Sequence, residues 1–294
     1  MERIDKVIFG DNQFFGINHR SQDKAEELLK KFSDVHNILK VYDDAFDCGI
    51  KAVMLNSNDR AEEICQYFRD HQDKYGDIAW YPSVPYPHKY ADMVNELGIF
   101  PAIKEVLFKG NSTGGVLSMI GKGAMAVMTK DAMRMMEMLL DVEFKIYRGL
   151  NVKVYFLLNP ITDLLLGYDI KDVFEHYCEY VREKYKATPG FITLNMPYLK
   201  RKLEEWGIDD VVICSTINKA GFNMFPSKEE YEKAIAENDP DKYQLMAMSP
   251  LASGSISPQE SFEYINSLNL QSVVFGASSK AHIQSSFDLI DLKD

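Results

Sequence analysis

The feature that most constrains this chain is its rhythm: short, β-branched, apolar runs separated by longer segments of helical period. Val7-Ile8-Phe9-Gly10, Lys51-Ala52-Val53-Met54-Leu55, Ile78-Ala79-Trp80-Tyr81 and the run from Val152 to Leu158 read as four strands. Phe191-Ile192-Thr193-Leu194, Val211-Val212-Ile213-Cys214, Leu245-Met246-Ala247-Met248 and Ser272-Val273-Val274-Phe275 read as four more. Continuous apolar runs are the mark of strands buried on both faces. Between them, Asp34 to Phe46 sets Val35, Ile38, Leu39, Tyr42, Ala45 and Phe46 on one helical face, and Gly49 ends it. Capping-box spacings at Asp59/Glu62, Ser227/Glu230 and Ser257/Glu260 mark helix starts, the last with Pro258 at the first helical position. Repeated strand–helix–strand units demand right-handed parallel crossovers, and eight of them close into a (β/α)8 TIM barrel. A doubly wound open sheet is the alternative.

The 294 residues suit one such barrel, for which about 250 are typical, so residues 1–294 are expected to form a single domain. One connection breaks the rhythm. Residues 101–150, between the third and fourth strands, form an inserted or elongated segment. Within it Gly110 to Gly115 reads as a loop, and Lys130 to Tyr147 as a helix with Met133, Met136, Leu139 and Leu140 on its apolar face. That Met-rich face reads as core packing, and residues 111–129 read either as a flap over the barrel mouth or as an interface with a partner. The net charge of −11 opposes nucleic acid, whose phosphates need a positive surface, and an anionic membrane surface. No apolar stretch approaches the roughly 20 residues of a membrane span. Cys48, Cys65, Cys178 and Cys214 form no C-x-x-C pair and read as buried thiols of a reducing compartment. With a charged start, Met1 to Lys6, and no signal pattern, the expected location is cytoplasmic.

In a parallel barrel, chemistry belongs to the residues that follow the strands. The acid–base candidates there are Asp11, His19, His88 and Lys219. Asp11 follows the first strand directly, and Lys219 could meet an anion or, with a lowered pKa, form a Schiff base. Asn12, Asn56, Asn159, Asn195 and Asn218 make a ring of uncharged donors and acceptors, suited to a polar small molecule at the barrel mouth. Each also fits as a helix cap or turn residue. The strongest single signal is a strand running into Gly276-Ala277-Ser278-Ser279-Lys280 and then a helix. Backbone N–H groups, hydroxyls and the helix dipole converge there as an anion site. No metal-binding motif, P-loop or nucleophile elbow is present: His36, His71 and His176 read as helix residues, and Gly115 to Lys122 has the wrong spacing.

The C-terminal half of the chain, roughly residues 190–290, resembles the aldo/keto reductase superfamily. Pro250-Leu251-Ala252-Ser253-Gly254 after strand seven is similar to that family's PLa.G segment. Ser272 to Ser279, followed by His282-Ile283, is similar to its closing vv.GaSs segment. Ile217-Asn218 and Gly49-Ile50 also fit. The resemblance implies an aldo/keto reductase-like barrel, with the cofactor phosphate held at Gly276–Lys280. The family's catalytic residues find no counterpart. Its Asp and Tyr after strand two meet Asn56-Ser57-Asn58-Asp59, with no Tyr before Tyr67; its Lys meets Pro82-Ser83, and its His meets Leu158-Asn159. The cofactor stays open: the resemblance implies NADP, yet the pair that grips adenine falls at Ser285 and Ser286.

Three readings stay open. The first is a small-molecule enzyme of unknown reaction with an anion or phosphate site after strand eight. The second is a divergent NAD(P)-dependent oxidoreductase that moves its acid–base work to Asp11, Tyr86 or His88. The third is a non-catalytic barrel acting as a binding or scaffold protein. Oligomeric state is not legible in the sequence.

Overall fold

A computed structural model describes residues 1–15, 22–86 and 130–293. Eight parallel strands follow in chain order: β1 (Val7–Phe9), β2 (Ala52–Asn56), β3 (Ala79–Val84), β4, β5 (Thr188–Thr193), β6 (Val211–Thr216), β7 (Tyr243–Met248) and β8 (Ser272–Phe275). Strand β4 is broken at Lys153 into Asn151–Val152 and Val154–Leu157. Each strand pairs with its neighbours in sequence, and β1 pairs with β8, Val7 opposite Val273 and Phe9 opposite Phe275. The sheet therefore closes on itself, and the open doubly wound alternative is excluded.

Two strands differ most from the sequence expectation. β3 runs on through Pro82 to Val84, and β5 begins at Thr188, three residues early. Proline and glycine interrupt the β-branched pattern at Pro82, Pro189 and Gly190 and hide the strand. Gly190 has a packing reason: a Cβ there would stand 2.5 Å from the Phe156 ring and 2.8 Å from Val154 Cγ1.

The helices alternate with the strands. They are α1 (Gln22–Lys31), α2 (Val35–Asp47), α3 (Ala61–Asp70), α4 (Lys130–Phe144), α5 (Asn159–Gly167), α6 (Lys171–Tyr180), α7 (Met196–Trp206), α8 (Lys228–Ala236), α9 (Pro258–Ser267) and α10 (Lys280–Phe287). The capping boxes at Ser227 and Ser257 form, each serine oxygen accepting the N–H three residues on at 3.3 Å. The one expected at Asp59 does not. Helix α3 starts two residues later, and Asn58 Oδ1 accepts the Arg60 N–H at 2.8 Å. Asn58 wins because its amide is also anchored by Nδ2 on the carbonyl and the side-chain oxygen of Asn56.

Alternate residues along each strand feed two apolar layers. Ile8, Ala52, Met54, Tyr81, Phe156, Ile192, Cys214, Met246 and Val274 fill the barrel interior. Phe9, Tyr42, Phe68, Trp80, Phe144, Tyr155, Phe191 and Phe262 fill the layer between barrel and helices. The N-terminal end of the barrel is closed by the chain's own start. Gln244 Oε1 accepts the Ile4 N–H at 2.8 Å and its Nε2 donates to the Glu2 carbonyl. Inside, the Tyr81 hydroxyl accepts the Asp5 N–H and donates to its carboxylate at 2.6 Å. The residues that follow the strands lie at the opposite rim. The expected flap and most of the 101–150 insertion lie outside the described residues. Helix α4 and the 3-10 turn Lys145–Tyr147 stand where the sequence predicts a helix.

Candidate active site at the C-terminal rim

The corner where β1 meets β2 and β8 holds the most distinctive chemistry. After Phe9 the chain passes Gly10, whose N–H extends the ladder to the Phe275 carbonyl at 2.8 Å. Asp11 comes next and opens a 3-10 turn, Asn12–Phe15, its carbonyl accepting the Phe14 N–H. The Asp11 side chain is only 5% exposed. Its Oδ2 accepts the Asn56 N–H at 2.9 Å, so a carboxylate continues the β1–β2 ladder where the backbone of β1 turns away. Burial opposes its charge more strongly than this bond favours it, and the carboxyl is pushed up to about 7. Three tyrosines feel its charge: Tyr42 and Tyr147, both fully buried, and Tyr86, which follows β3 and donates its N–H to Ser57 Oγ at 3.0 Å. Burial first, and the Asp11 charge after it, hold the Tyr42 and Tyr86 hydroxyls in the protonated form.

On the β8 side, Gly276 to Ser279 leads into α10. Ser279 is the N-cap, yet its side chain makes no capping bond, and the N–H groups of a first helical turn have no partner within the helix. Lys31, from the end of α1, donates to the Ser278 carbonyl at 2.8 Å and brings a positive charge to the loop. Lys280 turns away and pairs with Asp47 at 2.7 Å. Beneath the loop lies Gln13, which donates from Nε2 to the Gly10 carbonyl at 2.8 Å, while its buried Oε1 has no hydrogen-bond partner.

The remaining candidates are placed as follows. Asn12 is exposed on the 3-10 turn. The Asn56 side-chain oxygen accepts from Asn58. Asn159 is the first residue of α5. Asn195 caps α7 through the Tyr198 N–H, and Asn218 makes two bonds to the backbone of Phe222 that close its own loop. Lys219 is an exposed partner of Glu260 at 3.4 Å. His19 and His88 lie outside the described residues. The geometry thus gathers Asp11, Tyr86 and Gly276–Ser279 toward one side of the rim, and leaves Lys219 in an ion pair on α9. The sequence places Gln13 after the first strand without giving it a role, and it does not single out Lys31. The buried Gln directly after a strand was a readable signal; Lys31, a charged residue among charged residues, was not.

Among the described residues no cluster of His, Cys, Asp and Glu could hold a metal ion. None of the described helices is long and apolar enough to cross a membrane.

No family model matches the sequence, and no curated protein matches it. Solved structures do match in fold. A Bombyx mori aldo-keto reductase in complex with NADP superposes with a TM-score of 0.55 at 11% identity, over 99% of this chain and 85% of that one. An aldo-keto reductase complexed with NADPH gives 0.58 at 13% identity, over 99% and 81%. The holo form of an aldo-keto reductase from Bacillus halodurans gives 0.55 at 12%, over 98% and 87%. The fold is an aldo-keto reductase-like (β/α)8 barrel. At these identities the likeness carries the architecture alone, and the chemistry must be argued from the rim.

Proposed function

We propose that this chain is a small-molecule enzyme whose ligand lies across the C-terminal mouth. In this reading an anionic group sits at Gly276–Ser279, and the reacting part lies toward Asp11. The observation that carries it is the Asp11 carboxyl: buried at the rim and poised at about 7, it can give or take a proton near neutral pH. The uncapped N-terminus of α10 and the Lys31 ammonium support the anion site. Four buried free cysteines support a reducing, cytoplasmic setting.

A second reading, an NAD(P)-dependent oxidoreductase, is favoured by the neighbours solved with NADP and NADPH. The anion at Gly276–Ser279 would then be a phosphate of the dinucleotide, with Lys31 as a cation beside it. Tyr86 would be the proton donor to a carbonyl, with Asp11 replenishing the proton; burial and the charges of Asp11 and Asp59 hold that proton more tightly than in a free tyrosine, so charge would have to develop on the substrate oxygen before it moves. The cofactor would supply the hydride.

The test is a turnover screen of phosphorylated and carboxylated metabolites, with and without NADPH, on the wild-type chain and on Asp11→Asn. The proposal expects an activity that falls at least about a hundredfold in the variant, with ligand binding retained. Full activity in Asp11→Asn removes Asp11 from the mechanism. Turnover only with NADPH selects the second reading, and absence of NADPH binding at millimolar concentration removes it.

A further inference from the structure

We infer that Gln13 selects the ligand of the Gly276–Ser279 corner, by requiring a hydroxyl or N–H donor close to the anionic group. The inference rests on the reading of that corner as an anion site. The Gln13 amide can be oriented in one way only. Nε2 donates to the Gly10 carbonyl at 2.8 Å, and a flipped amide would set two carbonyl oxygens against each other. Oε1 therefore faces away from Gly10 and toward Gly276.

The residue is 8% exposed, and Oε1 accepts no hydrogen bond. A buried acceptor left unpaired is costly, and native folds keep few of them. This one lies where a side chain at 276 would begin. A Cβ built on Gly276 would stand 2.0 Å from Oε1 and 2.9 Å from Cδ. Gly276 is itself exposed, so a residue without a side chain is what separates the acceptor from the mouth.

Two opposite preferences therefore adjoin. The N-terminus of α10 and Lys31 favour negative charge. Against Gly276, at the start of the same loop, Gln13 Oε1 can only accept, so it opposes a bare anionic oxygen and favours O–H or N–H. A ligand that satisfies both is a phosphomonoester or carboxylate bearing a neighbouring hydroxyl or amide. A simple anion satisfies only the first.

The experiment is calorimetric titration of the full chain with two probes of similar size, glycerol 3-phosphate and ethyl phosphate. The wild type should bind glycerol 3-phosphate about tenfold more tightly, the worth of one good hydrogen bond. Gln13→Met should bring the two affinities together. Should that variant fail to fold, Gly276→Ala, which sets a methyl group against Oε1, should close the gap in the same way. Equal affinities in the wild type would overturn the role of Gln13 and leave the anion site standing. Binding of neither probe would overturn both. A gap that survives in Gln13→Met or Gly276→Ala would assign the donor contact to another residue and overturn the inference.

Discussion

Asp11 is the residue on which the account turns, and its cost can be measured without knowing the reaction. Its folded pKa, about 7, is raised from the ordinary 3.8 by burial. Between those two values the folded chain holds a proton that the unfolded chain has lost. Stability is then at its highest below the unfolded value, falls as pH rises through this window, and levels off above about 7. Asp11→Asn keeps an oxygen for the Asn56 N–H and removes the buried charge. The variant should be more stable than wild type at pH 8, by an amount that shrinks toward zero near pH 4. Urea denaturation of the pair across that range checks it, and a constant difference would contradict the buried-charge account. Gln13 and Asp11 were both legible as residues following a strand. That one is poised and the other unsatisfied was not, because both follow from burial in the closed barrel: desolvation raises the Asp11 carboxyl, and the chain at Gly276 lies against a Gln13 Oε1 that has no partner.

At the scale of elements, the sequence signals worked where the side chain that makes the cap is itself free to do so. Ser227 and Ser257 cap α8 and α9 as their spacing predicts. At α3 the same spacing misled: Arg60 stands at the N-cap with no side-chain cap, and Asn58, held by Asn56, instead takes the Arg60 N–H in the turn that leads into the helix. Asn58→Ala should therefore cost about 1–2 kcal/mol, and Asp59→Ala under about 0.5 kcal/mol, in thermal or urea unfolding. Equal costs would contradict the assignment. All eight strands were legible as apolar runs, although β3 and β5 were read short where proline and glycine enter. The asparagine ring was legible as a pattern but not as chemistry: Asn195 and Asn218 serve their own loops, a role decided by local backbone geometry. In the structure Asn56 ends β2 and Leu158 follows β4.

For the whole molecule, the barrel is stoppered at one end and chemically furnished at the other. Two changes test the stopper and the packing. Tyr81→Phe removes the hydroxyl that both accepts from and donates to Asp5 and should cost about 1–2 kcal/mol in unfolding free energy. Gly190→Ala forces a methyl group into the Phe156 ring and should cost about 1–3 kcal/mol; a neutral result would mean that the interior is less tightly filled than the geometry states. The opposite rim is where the central claim stands: the proposed pairing of a carboxyl poised for proton transfer with a seat for an anion. NMR titration of the Asp11 carboxyl carbon, with and without saturating glycerol 3-phosphate, tests it most directly. The account predicts a midpoint near 7 that moves upward when the anion is bound, since a nearby negative charge favours the protonated form. A midpoint in the ordinary carboxylate range, unmoved by the ligand, would contradict it.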